Sequence, residues 1–171
     1  MIDVHVLTYS GTVQPWLDQC LESLSREPNL TVHVVQGDEG NVGAGRARGY
    51  RLGTNPYVSY VDSDDYILPG AIDACLFGLK AARNVVTLER RLWGARFDSS
   101  LQRDHHLCVY RRDDVEPWLD RLHEHPIHCD ILLTEKLRPT QLGFIGYVWR
   151  MHAGQAHRSA TKEQRARLDQ A

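Results

Sequence analysis

The sequence predicts a single α/β domain with a mostly parallel central sheet flanked by helices. Three short runs rich in β-branched and aromatic residues have the composition of strands: residues 4–9, 30–35 and 57–61. Helical patterns occupy the two intervals between them. The order strand, helix, strand, helix, strand implies parallel strands connected by helices that cover the sheet.

The composition is that of one ordinary globular domain, with 171 residues, 42% hydrophobic and 25% charged. We expect this domain to span residues 1–157, followed by a polar helix or tail at residues 158–171. A formal net charge of -2 gives no electrostatic reason for a nucleic acid or an anionic membrane as partner.

The chain has no apolar run near the roughly 20 residues needed to cross a bilayer, so we expect no integral membrane segment. It also shows no signal peptide at its N-terminus. Four scattered cysteines in apolar surroundings are typical of reduced, buried thiols: Cys20, Cys75, Cys108 and Cys129. We therefore expect a cytoplasmic protein.

The remaining elements follow from local signals. Pro15 suits the first turn of a helix whose apolar residues recur at helical spacing to Leu24. A glycine-rich stretch from Asn41 starts a second, shorter helix. Beyond residue 65 the same criteria predict helices at 70–82, 115–122 and 130–137, and strands at 84–89, 106–110 and 144–149.

An acidic turn follows the third predicted strand. Asp62, Asp64 and Asp65 place three carboxylates within four residues, and these repel one another unless a cation or solvent screens them. Ligands of parallel sheets bind beyond the carboxyl ends of the strands, where this turn lies. Carboxylate oxygens suit Mn²⁺ or Mg²⁺, so the turn is either a metal site or a solvated loop.

The glycine-rich stretch can also bind phosphate. Residues 41–49 contain G-x-G followed by Arg46 and Arg48, which offer backbone N–H groups and two guanidinium groups. The stretch does not match G-x-G-x-x-G, and it lacks the Lys-Ser/Thr pair of NTPase loops. A dinucleotide site is therefore disfavoured.

Together these segments resemble family 2 glycosyltransferases, which are inverting enzymes with the GT-A fold. The resemblance is carried by an Asn-x-Gly, an Ala-Arg-Gly, a strand, an Asp-x-Asp-Asp and a following proline, here Asn41, Gly43, Ala47 to Gly49, Asp62 to Asp65 and Pro69. It covers residues 4–152, most closely as far as residue 72, and this chain would be a compact form of the family.

The resemblance implies transfer of a sugar from a nucleotide-diphosphate donor, with UDP expected, to a hydroxyl acceptor with the help of Mn²⁺ or Mg²⁺. The implied donor-binding residues are Thr8, Tyr9, Asp38, Arg48, Asp62, Asp64 and Arg150, and the implied metal ligands are Asp64, Asp65 and His152. Glu39 is an alternative to Asp38. Asp130, at the start of a predicted helix, matches the general base; its alternative role is an ordinary helix cap.

The compact form suggests an exposed acceptor site, hence a large acceptor such as a polysaccharide, a protein or a modified DNA base. A second hypothesis is a catalytically silent GT-A module that binds a nucleotide sugar or a partner, because the acid that precedes the base in the family is missing here. A metal-dependent phosphodiesterase is disfavoured, since no second cluster of acids and histidines follows a strand. The His123 to Cys129 cluster matches no zinc-finger spacing.

Overall fold

The computed structural model describes residues 1–102 and 106–155. The predicted tail at residues 158–171 lies outside the described residues. The strands are β1 Ile2–Thr8, β2 Leu30–Gln36, β3 Tyr57–Asp62, β4 Tyr66–Ile67, β5 Val85–Trp93, β6 Arg96–Gln102, β7 Cys108–Arg111 and β8 Thr140–Met151. The helices are α1 Gln14–Ser25, α2 Val42–Tyr50, α3 Ala71–Gly78, α4 Arg112–Val115 and α5 Cys129–Leu137, with a 3-10 helix at Glu116–Glu124.

The strands form one sheet in the order β2-β1-β3-β7-β5-β8-β4, and β6 pairs with β5. Strand β1 is parallel to β2 and to β3, as predicted. Strand β7 is antiparallel to both β3 and β5, whereas β8 is parallel to β5 and antiparallel to β4. The α/β class is therefore confirmed, but the sheet is mixed rather than mostly parallel.

The reason for this difference lies in the connections of the second half. Antiparallel neighbours need only a tight turn, whereas parallel neighbours need a longer crossover. A two-residue turn containing Gly94, whose φ is 58°, joins β5 to the antiparallel β6. The sequence places helices between its first three strands, whereas the described residues between β5 and β7 include no helix.

The two faces of the sheet are covered by different helices. Helices α1 and α3 pack on one face through Cys20, Leu24, Ile72 and Cys75. Helices α2 and α5 and the 3-10 helix pack on the other face, where Tyr60 belongs to the core. All four cysteines are buried, and none of them forms a disulfide bond. Within the described residues, no helix is both long and apolar enough to cross a membrane.

Helix α2 lies unusually close to its neighbours because glycine occupies the contacts. A Cβ at Gly43 would lie 1.9 Å from the carbonyl oxygen of Leu122, and one at Gly49 would lie 2.4 Å from the His5 ring. The Asn41 side chain accepts a hydrogen bond from the Ala44 N–H at 3.0 Å and caps the helix. This packing brings the arginines of α2 to the edge of the sheet where β1 and β3 end.

Candidate functional site

The acidic turn lies at the carboxyl edge of the sheet, as predicted. Asp62 is the last residue of β3 and pairs in register with Leu7 of β1. The Asp65 N–H donates to the Asp62 carbonyl at 3.0 Å and closes the turn. Thr8 ends β1 opposite Gln36 of β2, so the ends of three parallel strands converge at this edge.

Asp65 is the most buried of the three acids, with 1% of its surface exposed. The Tyr147 hydroxyl donates to its Oδ2 and the Arg150 N–H to its Oδ1, both at 2.7 Å. Burial, followed by the charges of Asp64 and Asp62, raises the pKa of Asp65 well above its ordinary value. Strand β8 thus supplies both donors that hold this carboxyl.

Asp64 is in contact with Arg150 of β8 and with His152, which follows β8. His152 Nε2 lies 2.6 Å from Asp64 Oδ2, and Arg150 Nε donates to the Asp64 carbonyl at 2.7 Å. Burial and the charge of Asp62 raise the pKa of Asp64, and the contact with His152 opposes this shift. The His152 ring in turn packs against Trp16 of α1, with centroids 4.7 Å apart.

Asp62 faces a different set of partners. Arg46 Nη2 donates to its Oδ1, and His106 Nε2 lies 3.8 Å from its Oδ2. Only 3% of Arg46 is exposed, and its guanidinium lies 3.6 Å from the centroid of the Tyr60 ring. The pairing with Asp62 was not predicted from the sequence.

Asp62, Asp65 and His106 form a group whose ligand atoms lie within 4.8 Å of one another, the one such group found in the described residues. His106 Nδ1 lies 2.6 Å from Glu89 Oε2, and the ring stacks on Tyr147 with centroids 4.8 Å apart. A carboxylate at Nδ1 fixes the imidazole with Nε2 facing the acids. Oxygen and imidazole donors together suit Mn²⁺, so these residues fit a divalent cation.

This group differs from the predicted ligand set of Asp64, Asp65 and His152. The structure brings all three predicted residues to the turn, but it pairs Asp64 with His152 directly. His106 and Glu89 carry no motif in the sequence. Their one signal is that each belongs to or borders a predicted strand, which does not distinguish them from other polar strand residues.

Asp38 and Arg48 form a second pair at the same edge. Arg48 Nη1 donates to Asp38 Oδ2 at 2.5 Å, and its Nη2 donates to the Gln36 carbonyl at 2.6 Å. Nearly half of each side chain is exposed. Glu39, the alternative to Asp38, instead accepts hydrogen bonds from the N–H and the hydroxyl of Ser10, which lower its pKa.

The two predicted residues at the end of β1 point to different surroundings. The Thr8 hydroxyl donates to the Val35 carbonyl at 3.4 Å. The Tyr9 ring lies against Gly37, where a Cβ would be 2.3 Å from the ring. Its hydroxyl is buried, with no hydrogen-bond partner among the described residues, and burial raises the pKa of Tyr9 to about 12.

Asp130 lies in the first turn of α5, as predicted, and faces β3. The Tyr60 hydroxyl donates to its Oδ2 at 3.2 Å, and the Ile131 N–H donates to its Oδ1 at 3.1 Å. Cys129 is buried beside it. Because Tyr60 also underlies Arg46, the predicted base is connected to the acidic turn through Tyr60 and Arg46.

No protein-family model and no curated protein matches the sequence. Solved structures do match. S. aureus TarS 1-349 in complex with UDP-GlcNAc aligns with a TM-score of 0.71 at 17% identity, covering 94% of this chain and 61% of that chain. The complex of the same protein with UDP gives 0.69 at 16%, with coverages of 88% and 60%.

A third match is the bifunctional IspDF from Campylobacter jejuni, with a TM-score of 0.53 at 11% identity, covering 89% of this chain and 49% of that chain. The chain spans about 60% of the TarS 1-349 chain. At these identities the likeness shows the fold. The protein is an α/β protein with a mixed sheet flanked by helices, similar in fold to the glycosyltransferase TarS.

Proposed function

We propose that this chain is a metal-dependent, inverting glycosyltransferase of the GT-A fold that uses a UDP-sugar as donor. The observation that carries the proposal is the acidic turn at the carboxyl edge of the sheet, with Arg150, His106 and His152 around its three carboxylates. The complexes of TarS with UDP and with UDP-GlcNAc support a nucleotide-sugar donor.

The exposed pair of Asp38 and Arg48 is the proposed contact of the nucleobase. A carboxylate accepts hydrogen bonds from ring and exocyclic N–H groups, and an arginine beside it orients that carboxylate and donates to carbonyl oxygens of the base. Thr8 and Tyr9, at the end of β1, border the same position. Arg150 places a guanidinium next to the acidic turn, where it offsets the charge of a diphosphate.

Asp62, Asp65 and His106 are the proposed metal ligands, with Glu89 orienting His106; Asp64 and His152 are the alternative contributors. A bound Mn²⁺ or Mg²⁺ supplies a positive charge that stabilises the departing diphosphate. Asp65 is buried and has a raised pKa, so a nearby cation would favour its ionised form.

Asp130 is the proposed general base. It takes the proton from the acceptor hydroxyl while that oxygen forms a bond to the anomeric carbon. The bond between the anomeric carbon and the diphosphate oxygen breaks on the opposite side, and the diphosphate leaves with the electron pair. The Tyr60 hydroxyl and the Ile131 N–H hold the carboxylate of Asp130 in place. We propose a large acceptor, such as a polysaccharide, a protein or a modified DNA base.

The direct test is turnover of UDP-GlcNAc in the presence of Mn²⁺, measured as release of UDP. We expect slow hydrolysis by the parental protein and a loss of roughly 100-fold or more in Asp65→Asn, as when a transition-state contact is removed. Asp130→Asn should keep UDP binding and lower transfer by about 10²–10⁴-fold. His106→Gln should weaken Mn²⁺ binding. Asp113→Asn, an exposed change in α4, is the matched control.

A catalytically silent nucleotide-binding module is the second candidate. It is favoured by the buried Cys129, which stands where the family has an acid before the base. UDP binding by the parental protein without any UDP release from UDP-GlcNAc would support this module and contradict the enzyme.

A further inference from the structure

Arg46 is a buried guanidinium with an incomplete set of partners. It lies in the middle of α2, and 3% of its surface is exposed. Its Nη2 donates to Asp62, but its Nε and Nη1 have no hydrogen-bond partner among the described residues. Beneath it lies the Tyr60 ring, 3.6 Å from the guanidinium carbon.

The surroundings of Arg46 are polar and equally incomplete. The buried His5 Nε2 and Tyr50 hydroxyl also have no partner within the described part of the chain. The two rings pack edge to face with centroids 4.6 Å apart. Burial, followed by the charge of Arg46, lowers the pKa of His5 well below its ordinary value, so His5 is neutral near pH 7. Arg46 is therefore the positively charged member of the cluster that it forms with His5 and Tyr50.

Stability alone does not account for such a residue. Buried N–H groups without acceptors are costly, and a buried ion pair is often replaced by apolar side chains without loss of stability. Departures of this kind are expected at functional sites. The residue of the candidate site that Arg46 contacts is Asp62, the first acid of the turn.

The three acids of the turn are each engaged by the protein itself. Asp64 contacts His152, and Asp65 accepts from Tyr147 and from the Arg150 backbone. These partners are an imidazole and neutral donors. Asp62 alone among the three is paired with a guanidinium, which is charged at every accessible pH. Its Oδ2 remains on the side of His106.

We infer that Arg46 is a built-in counter-ion of the acidic turn. It holds Asp62 by one oxygen and weakens divalent-cation binding to the donor-free protein, so that the cation is retained mainly together with the donor diphosphate. This inference rests on the metal site of the proposed function. Mg²⁺ typically binds through one or two carboxylates plus substrate phosphates. This mode of binding fits a turn whose own negative charge is partly neutralised.

The experiment is a Mn²⁺ titration of the full chain without nucleotide, followed by calorimetry or by the EPR signal of free Mn²⁺. Removing the positive charge in Arg46→Met should tighten Mn²⁺ binding by roughly tenfold or more, because a unit charge a few ångströms away acts through a partly buried medium. Arg46→Gln should act in the same direction. Arg46→Lys, which keeps the charge, should stay close to the parental affinity. Adding UDP should reduce the difference between Arg46→Met and the parental protein.

Arg51→Met is the matched control. Arg51 follows α2 and pairs with the exposed Asp120, so its loss changes the net charge equally but leaves the ion pair of Arg46 with Asp62 in place. A gain in Mn²⁺ affinity equal to that of Arg46→Met would show a general charge effect and overturn the inference. A second check is Asp62→Asn combined with Arg46→Met, which should lose the gain.

Folding and function are separated by two further readouts. The melting temperature identifies a variant that fails to fold. If Arg46→Met fails to fold, the Mn²⁺ affinity of Arg46→Gln tests the inference instead. Unchanged or weaker Mn²⁺ binding in a folded Arg46→Gln protein would overturn the inference, as would an absence of Mn²⁺ binding in every variant. Tighter Mn²⁺ binding without any turnover of UDP-GlcNAc would leave the inference standing and count against the proposed enzyme.

Discussion

Asp65 shows how a single residue couples the charge of the turn to the stability of the fold. Burial, Asp64 and Asp62 all raise its pKa, whereas its two donors from β8 lower it. A carboxyl whose pKa is raised by folding contributes stability that is present below its ordinary value of 3.8 and is lost as the pH rises through the folded-state value. Without a cation, ionisation of Asp65 is therefore less favourable in the folded protein than in the unfolded chain.

Asp65→Asn should remove this pH dependence, because the amide imitates the protonated carboxyl and can accept from the Arg150 N–H while donating to Tyr147. In metal-free buffer, the free energy of unfolding of the parental protein should fall relative to the variant as the pH rises. The change should be about 1.4 kcal/mol for each unit by which folding raises the pKa. Urea unfolding from about pH 4 to pH 8 measures it. A difference that is constant with pH would refute the pKa shift.

Single residues also show what sequence patterns can and cannot locate. Asp62, Asp64 and Asp65 are adjacent in the sequence, so their meeting at one turn follows from local geometry. Glu89 of β5 meets His106 in the turn before β7, and their contact depends on a pairing of β5 with β7 that the sequence does not reveal. Buried polar residues of this kind show no periodicity or spacing from which their contacts could be predicted.

The position of helix α2 depends on its glycines, which have no Cβ atom at the contacts with neighbouring elements. Its glycines permit close contact with β1 and with the 3-10 helix, and this contact directs Arg46 beneath the acidic turn. The sequence predicted a phosphate-binding role for the glycine-rich stretch. The structure shows a packing role for Gly43 and Gly49, which does not exclude the other.

Gly43→Ala should destabilise the protein despite the higher helix propensity of alanine. The new Cβ would lie 1.9 Å from the Leu122 carbonyl oxygen, so the helix or the 3-10 segment must move. We expect a loss of about 1–3 kcal/mol in the free energy of unfolding. Gly143→Ala is the control, since a Cβ there meets no atom within 4 Å in the described part of the chain. Equal stabilities of the two variants would show that the contact is loose.

At the same scale, apolar spacing located helical segments but did not determine their type. Helix α1 was predicted nearly to its observed bounds because apolar residues recur at helical spacing, and α5 was also predicted nearly to its observed bounds. The predicted helix at 115–122 is instead the end of α4 followed by the 3-10 helix Glu116–Glu124. Strand β4 has two residues, too few for any alternation of side chains to appear, and it was not predicted.

In the molecule as a whole, charged networks lie at both ends of the parallel strands. At the end opposite the acidic turn, Asp3 of β1 accepts from Arg112 Nη2 at 2.6 Å and lies 2.8 Å from His33 Nε2. Arg112 also donates to the carbonyls of Tyr50 and Asn55. This network joins β1, β2, α2 and α4. Burial alone would raise the pKa of Asp3, but His33 and Asn55 lower it, so its stabilising effect is lost at acid pH.

Asp3→Asn should therefore lower the free energy of unfolding by roughly 2–4 kcal/mol, because it leaves the Arg112 guanidinium without its carboxylate. Mn²⁺ binding should be unchanged, since the acidic turn lies at the other end of β3. Asp120→Asn, whose side chain is 95% exposed, is the control and should cost little. Urea unfolding at neutral pH measures both. A loss no larger than that of the control would show that the network is not stabilising.

The architecture itself was predictable in its first half only. Alternation of strands and helices led to the parallel order of β1, β2 and β3, which the structure confirms. The mixed second half depends on β7 inserting between β3 and β5, a pairing between distant segments that local patterns do not encode. The likeness to TarS extends over both halves and agrees with the α/β class.

Strand β8 completes the candidate site through contacts with a residue that is distant in the sequence. Its Tyr147 and Arg150 reach Asp65 across 82 and 85 residues of sequence. Contacts over such separations carry a larger loop-closure entropy cost than local contacts do. During synthesis the βαβαβ segment emerges before β8, so the nascent chain carries an acidic turn without two of its donors. The candidate site is thus complete only when β8 has been synthesised and has paired with β5, and a chain stalled before β8 lacks two of the donors to Asp65.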